Sequence, residues 1–357
     1  MQRRTRVLVV EDSLTVRRRL VEVLTADPEI DVVGEAEDGK RAIELCLALR
    51  PDVITLDMML PVMTGLAATE YIMAHCPTPI LVVSASTNRG ELFRTYEALS
   101  AGAVDVLEKP RGDEPDGVWE EKFLGLLKLV SRIRVITHLR GRQLQPPSAT
   151  IDALGLASFV PVVAGSRQEC TTIAIGASTG GPGAIVDILR ALPHHLRLPI
   201  LLVLHIGEPF GQAFADWLDG QSSRPVAFAV DGEPLSGTVG RVVMAPPNRH
   251  LVVGGGRLHL TRDPERHSCR PSVDVLFESV AREIGSAAAG CLLTGMGRDG
   301  ASGLLDIRRA GGLTIAQDEA TSVVYGMPRE AVLLDAAERV LPLQAIAPAL
   351  GALGKRL

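Results

Sequence analysis

The feature that most constrains this chain is a repeated alternation of short apolar runs with amphipathic stretches. From Arg6 it reads RVLVVED, a helix-period stretch through Leu24, IDVVGEA, a second such stretch through Leu49, and DVITLD. A helix pattern near Ala67 to Ala74 follows, then PILVVSAS, a helix pattern from Glu91 to Ser100, and AVDVLEKP. Strands joined by helical crossovers pair in parallel, and near-continuous apolar runs mark strands buried on both faces. The first half is therefore expected to be an α/β domain with a doubly wound, five-stranded parallel sheet.

Beyond Lys109 and Pro110 the polar turn RGDEPDG leads into a helical pattern from Val118 to Leu139, which would complete this domain. RGRQLQPPSAT opens a stretch rich in Pro, Gly, Ser and Gln without sustained periodicity, as expected of a linker. The chain has 357 residues, and single cores stop growing near about 250–300, so a second domain is expected after it. We place the boundaries at 1–140, 141–168 and 169–357. The last segment alternates again, with TTIAIGA, PILLVLHI, PVAFAVD, AAAGCLLTGMG and GLTIAQD as strands separated by helical patterns. It predicts a second α/β unit with a mostly parallel sheet, and the glycine-rich GRVVMAPP, HLVVGGG and RLHLTRD predict a β-hairpin region.

A net charge of −5 supplies no basic footprint, so nucleic acid is not expected as a partner. Cys46, Cys76, Cys170, Cys269 and Cys291 are scattered and odd in number, which reads as reduced thiols in a cytoplasmic protein. The longest apolar run, Leu198 to Leu204, is far short of the roughly 20 residues that span a bilayer, so direct membrane insertion is not expected.

In open parallel sheets, ligands bind beyond the carboxyl ends of the strands. In the first half those ends carry Glu11, Asp12, Asp57, Ser84 and Lys109. Clustered carboxylates repel one another, and a hard divalent cation bound by oxygens relieves the repulsion, Mg²⁺ fitting best. One carboxylate beside a metal and a lysine can also act as a nucleophile toward phosphorus. Taken singly, Asp12 could be only a helix cap and Lys109 only a surface charge.

In the second half the elbow Gly176 to Gly181, within IAIGASTGGPGAI, admits three readings. A dinucleotide fingerprint fails because Ser178 stands at the second glycine position and His205 where an acid is needed; a Walker loop fails for want of Gly-Lys-Ser/Thr. A nucleophile fits better, since GxSxGG puts a hydroxyl on a sharp strand-to-helix turn beside free helix N–H groups. Among the histidines, His205 follows PILLVL directly, whereas His194 and His195 precede it, His259 alternates within RLHLT, and His75 and His138 belong in or near the first domain. The residues leave three orienting acids open: Asp299 after GCLLTGMGR, Asp318 after GLTIAQ and Asp231 after AFAV.

The first segment, with LVVED, ITLDMMLPVMTG, ILVVSAS and VLEKP, resembles the flavodoxin-like receiver domain of two-component response regulators. The resemblance implies Asp57 as phosphoacceptor, Glu11, Asp12 and Asp57 as Mg²⁺ ligands, and Ser84 and Lys109 as the switch pair. Val106 stands where such domains often carry an aromatic residue. From Thr171 onward IGASTGGP, LLVLHI, RPSVDVLF and LTGMGRDGASG resemble the catalytic domain of chemotaxis protein-glutamate methylesterases of the CheB type. That resemblance implies a Ser178-His205-Asp299 triad, with Thr179 and Met296 lining the oxyanion site and no cofactor for the ester chemistry. It further implies a histidine kinase as phosphodonor and methyl-accepting chemoreceptors as substrate, the receiver controlling access, and deamidation of receptor glutamines as a companion reaction. Leu204 and the segment Ile206-Gly207-Glu208-Pro209 depart from the family pattern at the rim. A receptor-binding regulator with an inactive esterase domain is the alternative.

Overall fold

A computed structural model of the chain describes residues 3–85, 89–110, 115, 117–133, 135, 169–208 and 210–354. The expected linker 141–168 and His138 lie outside the described residues.

The first unit runs β1 (Thr5–Val10), α1 (Leu14–Ala26), β2 (Ile30–Ala36), α2 (Gly39–Leu49), β3 (Val53–Leu56), α3 (Gly65–His75), β4 (Ile80–Ser84), α4 (Arg89–Ser100), β5 (Asp105–Glu108) and α5 (Val118–Val130). Its five strands pair in parallel in the order β2-β1-β3-β4-β5. The order reverses between β1 and β3, so the crevice at their carboxyl ends lies where Glu11, Asp12 and Asp57 emerge. Asp38 and Thr64 cap α2 and α3 by accepting from Arg41 N and Ala67 N. Helix α5 is shorter than the helical pattern through Leu139: it closes at Ser131, and Ile133 N already donates to Val130 O in a tightened turn.

The second unit runs β6 (Thr172–Ala177), α6 (Gly181–Ala191), β7 (Ile200–Leu204), α7 (Phe210–Gln221), β8 (Val226–Phe228), β9 (Val242–Met244), β10 (His250–Gly254), β11 (Arg257–Thr261), α8 (Val273–Glu283), β12 (Ala288–Leu292), α9 (Ala301–Arg309), β13 (Leu313–Gln317), α10 (Met327–Leu333), β14 (Arg339–Leu341) and α11 (Leu343–Gly351). Seven strands form one sheet in the order β14-β13-β12-β6-β7-β9-β8, and every pairing in it is parallel. The antiparallel hairpin β10-β11 stands apart as its own sheet. Gly255 and Gly256 at its tip have φ of 57° and 69°, as a two-residue hairpin turn with both central residues left-handed requires. The chain leaves β6 toward β7 on one side and returns through β12 on the other, so this sheet's switch point lies between β6 and β12. The serine elbow occupies it.

The units share one apolar cluster, because α4 packs across α6 and α7. Tyr96, fully buried, sets its ring edge-on to Phe214 with centroids 5.2 Å apart and tilted against Trp217 at 5.5 Å. Its hydroxyl donates to Phe210 O. Around this core, Arg89 pairs with Asp216 at 3.0 Å.

Candidate active site

The elbow after β6 is built by glycines that leave no room for a side chain. A Cβ on Gly176 would meet Val273 Cγ1 at 2.2 Å, and Gly180, with φ of 76°, starts α6 in a left-handed conformation against Val323. Pro182 then presets the first turn of α6. Ser178 is half-buried at the bend; its N–H donates to Thr294 O at 3.0 Å, and its carbonyl accepts from Gly181 N at 2.7 Å. Gly295 closes the other side, where a Cβ would stand 2.7 Å from Ser178 Cβ.

His205 leaves the end of β7 with its N–H on Ala177 O at 3.1 Å, which ties it to the elbow. Its Nε2 lies 2.8 Å from Asp299 Oδ2. Asp299 is buried and accepts from Ser272 Oγ at 2.7 Å, Val273 N at 2.7 Å and Asp274 N at 3.0 Å, so the start of α8 holds it as an anion. Burial alone would raise its pKa, but the bonds from His205, Ser272 and Asp274 outweigh it and hold the carboxyl below the usual range. For His205 burial pulls the pKa down, yet the bonds to Asp299 and Cys269 prevail and push it up to about 9. With Nε2 on Asp299, Nδ1 is the nitrogen left to accept a proton. Among the described residues the Ser178 hydroxyl makes no hydrogen bond, and the neighbour of Nδ1 is Cys269 Sγ at 3.7 Å.

His205 and Asp299 thus pair at the edge of the sheet from which Ser178 emerges, and the rival acids are bonded elsewhere. Asp231 Oδ1 accepts from Leu260 N at 2.8 Å, and Asp318 Oδ1 accepts from Thr321 N at 3.0 Å. His259 faces Gly254 O and His75 faces Tyr71 O. Thr179 lies in the elbow and Met296 follows Gly295 beside it, and among the described residues neither backbone N–H has an acceptor, leaving both free for an oxyanion. The periodicity did not single out three supporting residues: Ser272, the fully buried His250 whose Nδ1 accepts from Ser272 N at 3.1 Å, and Cys269. The RPS of RPSVDVLF was a signal for the first, since Ser272 caps α8 through Val275 N.

The elbow is also touched from the first unit. Thr179 Oγ1 donates to Asp105 Oδ2 at 2.9 Å, joining β5 to the residue after Ser178. Burial raises the Asp105 pKa, partly offset by bonds from Val106 N and Thr179.

In the acidic pocket, Glu11, Asp12 and Asp57 offer oxygens that all lie within 4.8 Å of one another. Lys109 Nζ reaches Glu11 Oε2 at 2.8 Å and Asp57 Oδ2 at 3.1 Å. Burial, helped by Asp57, pushes Glu11 up to about 7 against the pull of Lys109; burial likewise raises Asp57. Asp57 Oδ1 is buried with no hydrogen-bond partner among the described residues. An all-oxygen set with an orphaned buried carboxylate oxygen fits a hard divalent cation. Ser84, fully buried, donates to Glu91 Oε1 at 2.8 Å, a partner on α4 that the strand-end reading did not anticipate. Val106 is half-buried and packs on the shared core.

A family profile described as CheB methylesterase matches residues 173–350, and the response regulator receiver domain profile matches residues 7–115. The fold and these matches define a response regulator with an enzymatic output domain. The protein-glutamate methylesterase/protein-glutamine glutaminase 2 of Anaeromyxobacter dehalogenans is 44% identical over 345 residues, covering 97% of this chain and 96% of that protein. Its counterpart in Nitrosospira multiformis is 43% identical over 349 residues, covering 96% of this chain and 95% of its own. The crystal structure of the Thermotoga maritima CheB methylesterase catalytic domain aligns at 34% identity with a TM-score of 0.49, covering 52% of this chain and 98% of that one. The chain belongs to the protein-glutamate methylesterase family. Among the described residues, no helix is long and apolar enough to cross a membrane.

Proposed function

We propose that this chain is a cytoplasmic, phosphorylation-activated esterase that hydrolyses glutamate methyl esters on methyl-accepting chemoreceptors and deamidates receptor glutamines by the same acyl chemistry. The observation that carries the reading is the Asp299–His205 bond, 2.8 Å long, beside a half-buried serine on a glycine elbow. Ser178 Oγ attacks the ester carbonyl while His205 Nδ1 takes its proton, and the imidazolium is stabilised through Nε2 by Asp299. The Thr179 and Met296 N–H groups hold the tetrahedral oxyanion, and methanol leaves with the proton from His205. Water, deprotonated by the same nitrogen, then opens the acyl-enzyme to free glutamate and Ser178. No cofactor enters these steps.

The first unit, proposed as residues 1–140 with a linker at 141–168, is the control element, and 169–357 the catalytic one. Glu11, Asp12 and Asp57 would hold Mg²⁺, which neutralises charge on a transferring phosphoryl group. Asp57 accepts that group from a chemotaxis histidine kinase, and Lys109 pairs with the product. Ser84 must exchange Glu91 for the phosphoryl oxygens to complete the switch, and because Glu91 lies on α4, that exchange loosens the helix packed on α6 and α7.

The test is methanol release from methylated receptor membranes by the intact chain and by Ser178→Ala. Release by the wild type that disappears in the variant supports the reading. Equal release by both would remove Ser178 from the mechanism, and none from either would favour a receptor-binding regulator with an inert second unit.

A further inference from the structure

Cys269 belongs to no step of the proposed hydrolysis, yet its sulfur pairs with the one ring nitrogen that the hydrolysis needs. It sits on a tight turn in which Arg266 N donates to Cys269 O at 3.2 Å and Cys269 N to Arg266 O at 2.9 Å. Between them His267 and Ser268 have φ of 52° and 58°, both left-handed, so the thiol is presented on a closed two-residue turn. The imidazole is fixed just as firmly, since Nε2 is committed to Asp299 and the His205 N–H to Ala177 O. The separation from His205 Nδ1 to Cys269 Sγ is 3.7 Å.

A tetrahedral Zn²⁺ bound by one imidazole nitrogen and one thiolate holds those atoms about 3.6 Å apart, from bond lengths of about 2.05 and 2.3 Å. Metal-bound histidines also characteristically give their other ring nitrogen to a carboxylate, which fixes the ring and the tautomer. Asp299 occupies that outer position at 2.8 Å, and its remaining contacts with Ser272, Val273 and Asp274 mark it as an orienting group and not a ligand. We infer that His205 Nδ1 and Cys269 Sγ form a binding site for a soft divalent cation, Zn²⁺ in the first instance, and that its occupancy switches the esterase off. The cation takes the Nδ1 lone pair that would accept the Ser178 proton. A thiolate-imidazole pair selects zinc over magnesium, so this site and the all-oxygen pocket at Asp57 take different ions. Water completes the coordination. Binding displaces the thiol proton and any proton on Nδ1, so affinity rises with pH.

The experiment measures Zn²⁺ binding to the full-length chain by competition with a chromophoric chelator, under saturating Mg²⁺ to fill the acidic pocket. Wild type, Cys269→Ala, Cys269→Ser, His205→Gln and Ser178→Ala are compared, with folding checked by circular dichroism. Wild type and Ser178→Ala are expected to bind one more equivalent than the other three, whose affinity for it falls at least about tenfold. Because Ser178→Ala carries no proposed activity, this arm stands apart from the esterase reading. Co²⁺ in place of Zn²⁺ should give a thiolate charge-transfer band in wild type that Cys269→Ala lacks. In the activity arm, Zn²⁺ should inhibit wild-type methanol release reversibly, and the inhibition constant should rise at least about tenfold in both cysteine variants, each measured against its own metal-free rate. Equal zinc affinity in wild type and the cysteine variants, no binding at all, or binding that leaves methanol release unchanged would overturn the inference.

Discussion

Replacing Tyr96 by alanine should uncouple the esterase from its receiver. The side chain is fully buried, with ring contacts to Phe214 and Trp217 and a hydroxyl on Phe210 O. All three partners belong to α7, so most of what the substitution removes is interface between the units. Truncating a buried aromatic costs about 3–5 kcal/mol, which includes about 1 kcal/mol for the hydroxyl bond. Taking the lower figure, the ratio of closed to open packing falls by about a hundredfold. Basal methanol release by the unphosphorylated chain should climb toward the rate reached with Mg²⁺ and a small-molecule phosphodonor, while that upper rate stays where it is. Tyr96→Phe removes only the hydroxyl bond and should raise basal release about fivefold. The reasoning is refuted if both variants keep the wild-type basal rate with the receiver folded by thermal melting, or if both rates fall together.

Other consequences follow from the same geometry. Because His205 must be neutral to accept a proton and its pKa is pushed up to about 9, release should rise with pH through about 9; a profile already flat by pH 7 would contradict the Asp299–His205 pairing. Gly295→Ala would set a Cβ 2.7 Å from Ser178 Cβ and 2.3 Å from Met327 Sδ, and should lower release by at least about a hundredfold through a displaced nucleophile, read alongside an unchanged receiver response to Mg²⁺. Chelating Mg²⁺, or making Asp57→Ala, should abolish stimulation by the phosphodonor and leave basal release intact, as a rate assay with and without the donor would reveal.

Much of this was legible in the chain because it is written at strand ends. Apolar runs fixed where β1, β3, β6 and β7 stop, and the rule for parallel sheets turned the next residues into candidates: Glu11, Asp12, Asp57, Ser178, His205. Asp299 led Asp318 and Asp231 without excluding them until the resemblance separated them, since all three follow apolar runs. The structure shows why they differ: only Asp299 meets the start of α8, a contact between segments 25 or more residues apart. Contacts of that range carry no local signature. The same holds for Thr179 on Asp105 and for the seating of Tyr96, which depend on how packed units meet. The choice of Nε2 for Asp299, which leaves Nδ1 as the other ring nitrogen, depends on the direction from which His205 enters the site. Cys269 was read only as a reduced thiol because its turn is specified by left-handed residues, His267 and Ser268, that are not the usual glycine or asparagine.

The most direct test of the account is labelling of Ser178 by a serine-directed phosphonate, followed by mass spectrometry in the presence and absence of Mg²⁺ and phosphodonor. The account predicts a single adduct on Ser178 that forms faster when the donor is present and shows no such acceleration in Asp57→Ala. An adduct on another residue, or a Ser178 adduct whose rate ignores the donor, would contradict it.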